Sequence, residues 1–314
     1  MEFMGTRLFP KDLGADQYIP SGIAKRCDWI IFTDNRQPRS VLFNNTSTPS
    51  PKTIFLSLRS PFLALAYFVK QILPKIEGEF ILFSGSADIT LPNQMDKRWR
   101  KTNDTERQYI LEILNTKLLK GWHCENLDEK IHPKLHPLPT GMVYEDNASS
   151  RLLQPESCIP LSQKPLNVFC AHRIRKGAEW ELRRHVTALA EAHWADFCTV
   201  SKTELPKEGF LAQIKEHSFV ACVEGGGRDP SPTAWHSLLY GAIPILRKSV
   251  ITEAYSDFPV VIIDDWTPDA ITPEKLARWH EELAPQYSTA KTSDAILEKL
   301  GLDYWWSKAL DAKN

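Results

Sequence analysis

The stretch VACVEGGGRDPSPTAWHSLLYGAIPILRKS, Val220 to Ser249, sets an acid, three glycines and an arginine between two apolar runs. Its pattern reads as a strand over Val220–Val223, a helix over Pro232–Tyr240 and a second strand over Ala242–Leu246. Glu224, Gly225, Gly226, Gly227 and Arg228 then fall at the carboxyl end of a strand. Open α/β sheets bind ligands there, because strand-end loops bring backbone N–H groups up to an anion. A phosphate-bearing ligand is the expectation, and a tight glycine turn is the plainer alternative. Arg228 suits a phosphate or sugar contact, or else pairs with the adjacent Asp229.

Two further segments carry chemistry. CAHRIRKGAEWELRRHV places His172, Arg173, Arg175 and Lys176 directly after an apolar strand, with Arg183 and Arg184 reading as outer charges of the following helix. The arginine fork matches phosphate, so His172, Arg173 and Arg175 are candidate phosphate contacts. FSGSADITLP puts Ser84 and Ser86 in a strand-end loop whose one carboxylate is Asp88. A carboxylate within hydrogen-bond reach can deprotonate a hydroxyl, and an aspartate can equally cap a turn. Arg59 in SLRSP, Ser84, Ser86 and the backbone at Thr140 and Gly141 would complete an acceptor pocket. Asp264 and Asp265 in IIDDW read as a strand-end cap and not as a metal site.

Composition removes several function classes. The charges nearly cancel, 38 basic against 39 acidic, which leaves no global drive toward nucleic acid or an anionic membrane. The six cysteines lack CxxC or Cys/His metal spacing and read as small core residues of a reducing compartment. No run nears about 18 apolar residues, and the opening MEFMGTRLFPKD has no signal-like apolar region. A soluble cytoplasmic protein is expected, with a lost membrane anchor as an open alternative. Oligomeric state is unspecified.

The elements that must position these residues alternate. Strands are expected at Trp29–Thr33, Thr53–Ser57, Glu79–Phe83 and Gly121–Cys124, with helices at Pro61–Leu73 and Thr105–Leu118. A polar, proline-bearing stretch over Glu145–Pro165 marks a linker. The alternation then restarts with a strand at Leu166–Cys170, a helix at Glu179–Glu191, a strand at Asp196–Val200 and a helix at Lys207–Glu216. Strands alternating with helices imply parallel sheets. Two Rossmann-like α/β domains facing across a cleft are expected, 1–155 and 156–298, with a C-terminal helix over 299–314 that packs back on the first. Tyr304, Trp305 and Trp306 read as packing anchors.

The ordered features of HSFVACVEGGGRDPSPTAWHSLLYGAIPILRKSVITEAYSDFPVVIIDDWTPD resemble the nucleotide-sugar-binding core of exostosin-like glycosyltransferases, over roughly Phe219–Trp266. The resemblance implies a GT-B fold, a nucleoside diphosphate sugar donor with UDP preferred, a glycan hydroxyl as acceptor, inversion, and neither metal nor other cofactor. It implies that domain 156–298 binds the nucleotide sugar, with Glu224, Gly225 and Gly227 beside it, and that domain 1–155 holds the acceptor and a base, for which the strand-end Asp88 is the candidate. Two positions depart from the family: Thr233 stands where an arginine is expected, and His236 where an acid grips the ribose. Those departures keep two alternatives open, an epimerase or hydrolase of the same architecture and a non-catalytic glycan- or nucleotide-binding module. Fold analogy does not decide among them.

Overall fold

The computed structural model describes residues 1–45, 48–143, 159–174, 176–201, 203–288 and 290–311. The chain divides into two compact units, Met1–Leu152 with Gly226–Asp229 and Gly301–Asn314, and Leu153–Gly225 with Pro230–Leu300. Both are mixed α/β with parallel sheets. Most of the expected linker, 145–158, lies outside the described residues.

In the first unit β1 (Trp29–Asp34), β2 (Ser40–Asn45), β3 (Thr53–Ser57), β4 (Phe80–Gly85), β5 (Leu119–Glu125) and β6 (Leu135–Leu138) form one sheet in the order β2-β1-β3-β4-β5-β6. Only β2 runs antiparallel, paired with β1 from Trp29↔Asn45 to Asp34↔Ser40. Every residue of β1 and β3 is buried, as apolar runs covered on both faces must be. Helix α1 (Pro61–Tyr67) packs on β1 and β3, and its expected continuation widens into a π turn over Phe68–Ile72 before Pro74 ends it. Helix α2 (Asp104–Asn115) opens with a capping box in which Asn103 and Glu106 satisfy each other's backbone N–H.

The second unit contains β7 (Val168–Cys170), α3 (Glu181–Ala192), β8 (Cys198–Val200), α4 (Lys207–Glu216), β9 (Phe219–Ala221), α5 (Thr233–Leu239), β10 (Ile243–Arg247), β11 (Val261–Ile263), α6 (Pro273–Leu283) and α7 (Ala290–Leu300). Its five strands are all parallel in the order β11-β10-β9-β7-β8. The order reverses between β7 and β9, which makes the carboxyl ends of those two strands a topological switch point. Buried Lys164 braces this unit by donating to the carbonyls of Tyr240 at 3.1 Å and Gly241 at 2.9 Å.

Helix α8 (Leu302–Asp311) groups with the first unit. Trp306 stacks on Phe83 at 5.6 Å, Trp305 is buried, and the Leu302 N–H donates to the Glu2 carbonyl at 2.8 Å. Phe83 also stacks on His123, which stacks on its register partner His136 at 5.0 Å. Burial, with the neighbouring His136, pushes the His123 pKa down to about 3.

An unfolded imidazole titrates near 6.5, so below that pH the unfolded chain takes up a proton that folded His123 refuses. Stability is therefore expected to fall as the pH drops from about 6.5 toward 3. The measurement is the urea midpoint at pH 7.5 and pH 5.0, with His123→Phe, which keeps the stack, narrowing the difference. An unchanged difference in the variant would remove His123 as a source of acid sensitivity.

Candidate functional site

The switch point of the second unit holds a cavity of about 340 Å³, within the size range of small-molecule sites. His172 and Arg173 line it from the segment after β7, Trp180 and Arg183 from the start of α3, and Phe210 and Thr233 from α4 and α5. Arg183 lies over the Trp180 ring at 4.8 Å and donates to the carbonyls of Arg173 at 3.2 Å, Val223 at 3.3 Å and Glu224 at 3.3 Å. It thereby ties the loop after β7 to the loop after β9. His172 Nε2 donates to the Arg183 carbonyl at 2.8 Å, and burial lowers its pKa to about 4. At neutral pH it is an uncharged brace, a carbonyl partner requiring the N–H on Nε2. Arg173 is half exposed and ion-paired with Glu204, which also lines the cavity. An aromatic wall beside two guanidinium groups suits a flat base carrying phosphate.

The glycine run answers differently from expectation. A Cβ on Gly225 would stand 3.0 Å from Arg183 Nη2 and 3.6 Å from the Trp180 ring. On Gly226 it would strike the Arg98 guanidinium, 2.8 Å from Cζ, and on Gly227 the Asn126 amide, 2.7 Å from Cγ. Gly226–Asp229 belongs to the first unit, while Gly225 and Pro230 belong to the second. The side chains that exclude a Cβ here are the protein's own, and each of the three glycines faces a different one.

Around that loop the strand ends of the first unit carry a polar cluster. Glu125, wholly buried at the end of β5, accepts from Thr6 Oγ1 at 2.7 Å, the Ser86 N–H at 2.6 Å, Thr140 Oγ1 at 3.0 Å and Arg7 Nη2 at 2.9 Å. Asn126 Oδ1 accepts from the N–H groups of Arg228 at 2.8 Å and Asp229 at 2.9 Å. The Thr140 N–H donates to Asp229 Oδ2 at 2.6 Å, so the Asp229 carboxylate is turned to backbone. Asp96, its side chain buried, grips Arg98 through Nε at 3.0 Å and Nη2 at 2.8 Å.

Asp88 stands in the loop after β4 as expected, but ion-paired on both sides, with Arg7 at 2.5 Å and with Arg98. Those cations hold its carboxyl well below the usual carboxylate range despite the opposing effect of burial. In that state it is a weaker proton acceptor than an unpaired carboxylate. The acceptor pocket expected from Arg59, Ser84 and Ser86 is occupied by protein. Ser84 is buried in β4, accepting from Trp122 Nε1 at 2.8 Å. Buried Ser86 accepts from the Leu8 N–H at 3.0 Å and from Arg59 Nε at 3.3 Å, while Arg59 Nη2 donates to the Leu8 carbonyl at 2.6 Å. The chain before Phe9 covers these groups.

Of the donor-side expectations, His172, Arg173 and Thr233 line the cavity. Gly225 meets its Arg183 and Trp180 wall. Glu224 is turned away, buried and paired with Arg247 Nε at 2.7 Å. His236 is buried in α5, edge-on to Phe210 at 6.5 Å, with neither ring nitrogen hydrogen-bonded among the described residues. Burial, helped by Lys207, lowers its pKa to about 4, so it is neutral and does not replace a ribose-gripping acid. Arg175 lies outside the described residues. Arg183, read as an outer charge, is the arginine that enters the cavity, and Trp180, three residues before it, was the available signal. Among the described residues no three His, Cys, Asp or Glu side chains gather to hold a metal, and no helix is long and apolar enough to cross a membrane.

No family model matches the chain, and no curated protein does. Among solved structures it is similar to the glycotransferase of kitacinnamycin, at 12% identity over 79% of this chain and 76% of that one, with a TM-score of 0.31. At that score the likeness carries no argument about the site.

If Asp88 serves as the counter-ion between Arg7 and Arg98, Asp88→Asn should cost stability of about 1–3 kcal/mol, the range for losing hydrogen bonds to charged groups in a partly exposed place. Urea unfolding measures it. Unchanged stability together with a selective loss of turnover would return Asp88 to the role of base.

Proposed function

We propose that this chain is a glycosyltransferase of the exostosin-like, GT-B kind, moving a sugar from a nucleoside diphosphate donor, UDP preferred, to a glycan hydroxyl with inversion and without a metal. One observation carries the reading: a stacked Trp180–Arg183 pair lies beside Arg173 in a cavity at the switch point of an all-parallel sheet. Such a place takes a base against the ring and phosphate against the cations. In the reaction the acceptor oxygen gives its proton to a base and bonds the anomeric carbon, while the bond from that carbon to the diphosphate breaks and its electron pair leaves with the phosphate. Arginines offset the charge that develops there. Arg228 is a further cation for a phosphate or sugar oxygen. Asp88 takes the acceptor proton in this reading only after an arginine is drawn off it.

A second reading is favoured by the pairing of both expected carboxylates, Asp88 and Glu224, with arginines. That pairing suits a module that binds nucleotide without turning it over.

Calorimetry of the full chain with UDP, GDP, CMP and dTDP separates binding from its absence, and donor turnover with and without a glycan separates the two readings. UDP is expected to bind tightest. Arg173→Ala should weaken it by about 1.5–3 kcal/mol while uridine affinity holds. Turnover should survive EDTA. No binding of any nucleoside diphosphate would overturn the proposal, and loss of turnover to EDTA with rescue by manganese would overturn its metal-free form.

A further inference from the structure

Two opposite charges in the cavity of the second unit hold each other, and the reaction proposed above gives one of them no role. Arg173, from the segment after β7, donates through Nη2 to Oε1 of Glu204, from the segment between β8 and α4. The pair occupies the cation on which the nucleotide reading depends. The other guanidinium of the cavity is committed to backbone, since Arg183 Nε, Nη1 and Nη2 donate to the carbonyls of Glu224, Arg173 and Val223. His172 adds no charge, because burial keeps its imidazole neutral at pH 7. Arg173 is left as the cation of this lining that can turn its fork to a ligand. Among the described residues, Glu204 is the one hydrogen-bond or ion-pair partner of the Arg173 side chain, and it carries the one carboxylate of the cavity lining.

Little holds this pair together. Its side chains are 49% and 59% exposed, and an ion pair that open to water contributes little to stability. Glu204 engages one nitrogen of the guanidinium, whereas a phosphate carries more charge and offers oxygens to both arms of the fork. A diphosphate therefore displaces Glu204 from Arg173, and an uncharged ligand has no means to do so. A carboxylate that stayed in place would repel the phosphate across one small cavity. We propose that Glu204 determines the specificity of this cavity for phosphate: it is a resident anion on Arg173 that a ligand must displace, so the cation is given up only to a stronger anion. This rests on the nucleoside diphosphate reading above, and it adds to that reading the residue that competes with the phosphate.

Calorimetry of the full chain with UDP, inorganic pyrophosphate and uridine tests it on the wild type, Glu204→Gln, Arg173→Ala and the double variant. Glu204→Gln keeps the shape of an exposed side chain and removes its charge. It should tighten UDP and pyrophosphate by about 3- to 30-fold, as removal of a competing charge does at a half-exposed place, and leave uridine within about twofold. In the Arg173→Ala background the same change should have little effect, because no cation is left to compete for. A carboxylate that merely repels anions through space would tighten UDP equally in both backgrounds, and that result overturns the proposal. Unchanged UDP affinity in Glu204→Gln overturns it too, as does weaker UDP binding, which would make Glu204 a direct ligand contact. Each of these results leaves the nucleotide reading standing. Absence of UDP binding by both the wild type and Glu204→Gln overturns the nucleotide reading and this proposal with it.

Discussion

Three side chains pressed against the backbone of consecutive glycines set the geometry on which the candidate sites depend. Arg183 lies on Gly225, Arg98 on Gly226 and Asn126 on Gly227. None of the three is free to move off: Arg183 is tied to three carbonyls and stacked on Trp180, Arg98 is gripped by Asp96, and Asn126 is held at both ends of its amide. Buried Asn126 and half-buried Arg183 are satisfied by contacts that also fix the loop, while exposed Arg98 is held by Asp96 and Asp88. The glycines are therefore a packing requirement of the fold. Whatever the loop presents to a ligand, it presents from a backbone already locked by the protein.

The two units use their strand ends differently. In the second, the reversal of strand order between β7 and β9 leaves a cavity walled by an aromatic ring and guanidinium groups. In the first, the parallel strands follow one another without reversal, and the amino-terminal segment with Thr6 and Leu8 fills the strand ends. Buried Glu125 collects donors from that segment and from Thr140, so the cluster is ordered by charge-assisted hydrogen bonds more than by apolar packing. Asp88 shares that economy of charge. Its proton affinity is set by Arg7 and Arg98, and any chemistry there must first change those partners.

Local periodicity made most elements legible. The helix expected at Lys207–Glu216 is α4 residue for residue, and the strand at Thr53–Ser57 is β3. The two strands that escaped notice, β2 and β6, are both sheet edges, where the apolar signal is weakest; β6 carries Pro137, which only an edge accommodates readily. The site was less legible for a physical reason. Helical spacing shows that Arg183 and Arg184 lie on different sides of α3, but not which side a loop will cover. The side chains that require Gly226 and Gly227 come from far along the chain, Asn126 being 102 residues before Arg228. No local pattern records such a contact, whereas His172 and Arg173 stand directly after β7, where strand-end position alone marks them; Thr233, at the start of α5, came from the family resemblance.

The most direct test of the claim that these glycines seat the protein's own side chains is the stability and UDP affinity of Gly226→Ala, measured on one preparation by urea unfolding and calorimetry. Gly226 has no left-handed backbone, so a Cβ there acts only through the Arg98 guanidinium that Asp96 holds in place. The account expects a loss of stability of about 0.5–1.5 kcal/mol, the cost of turning the Arg98 side chain off its rotamer, with any UDP affinity of the wild type retained within a fewfold. Unchanged stability with lost UDP binding would contradict it, because that is the signature of a glycine kept for a phosphate.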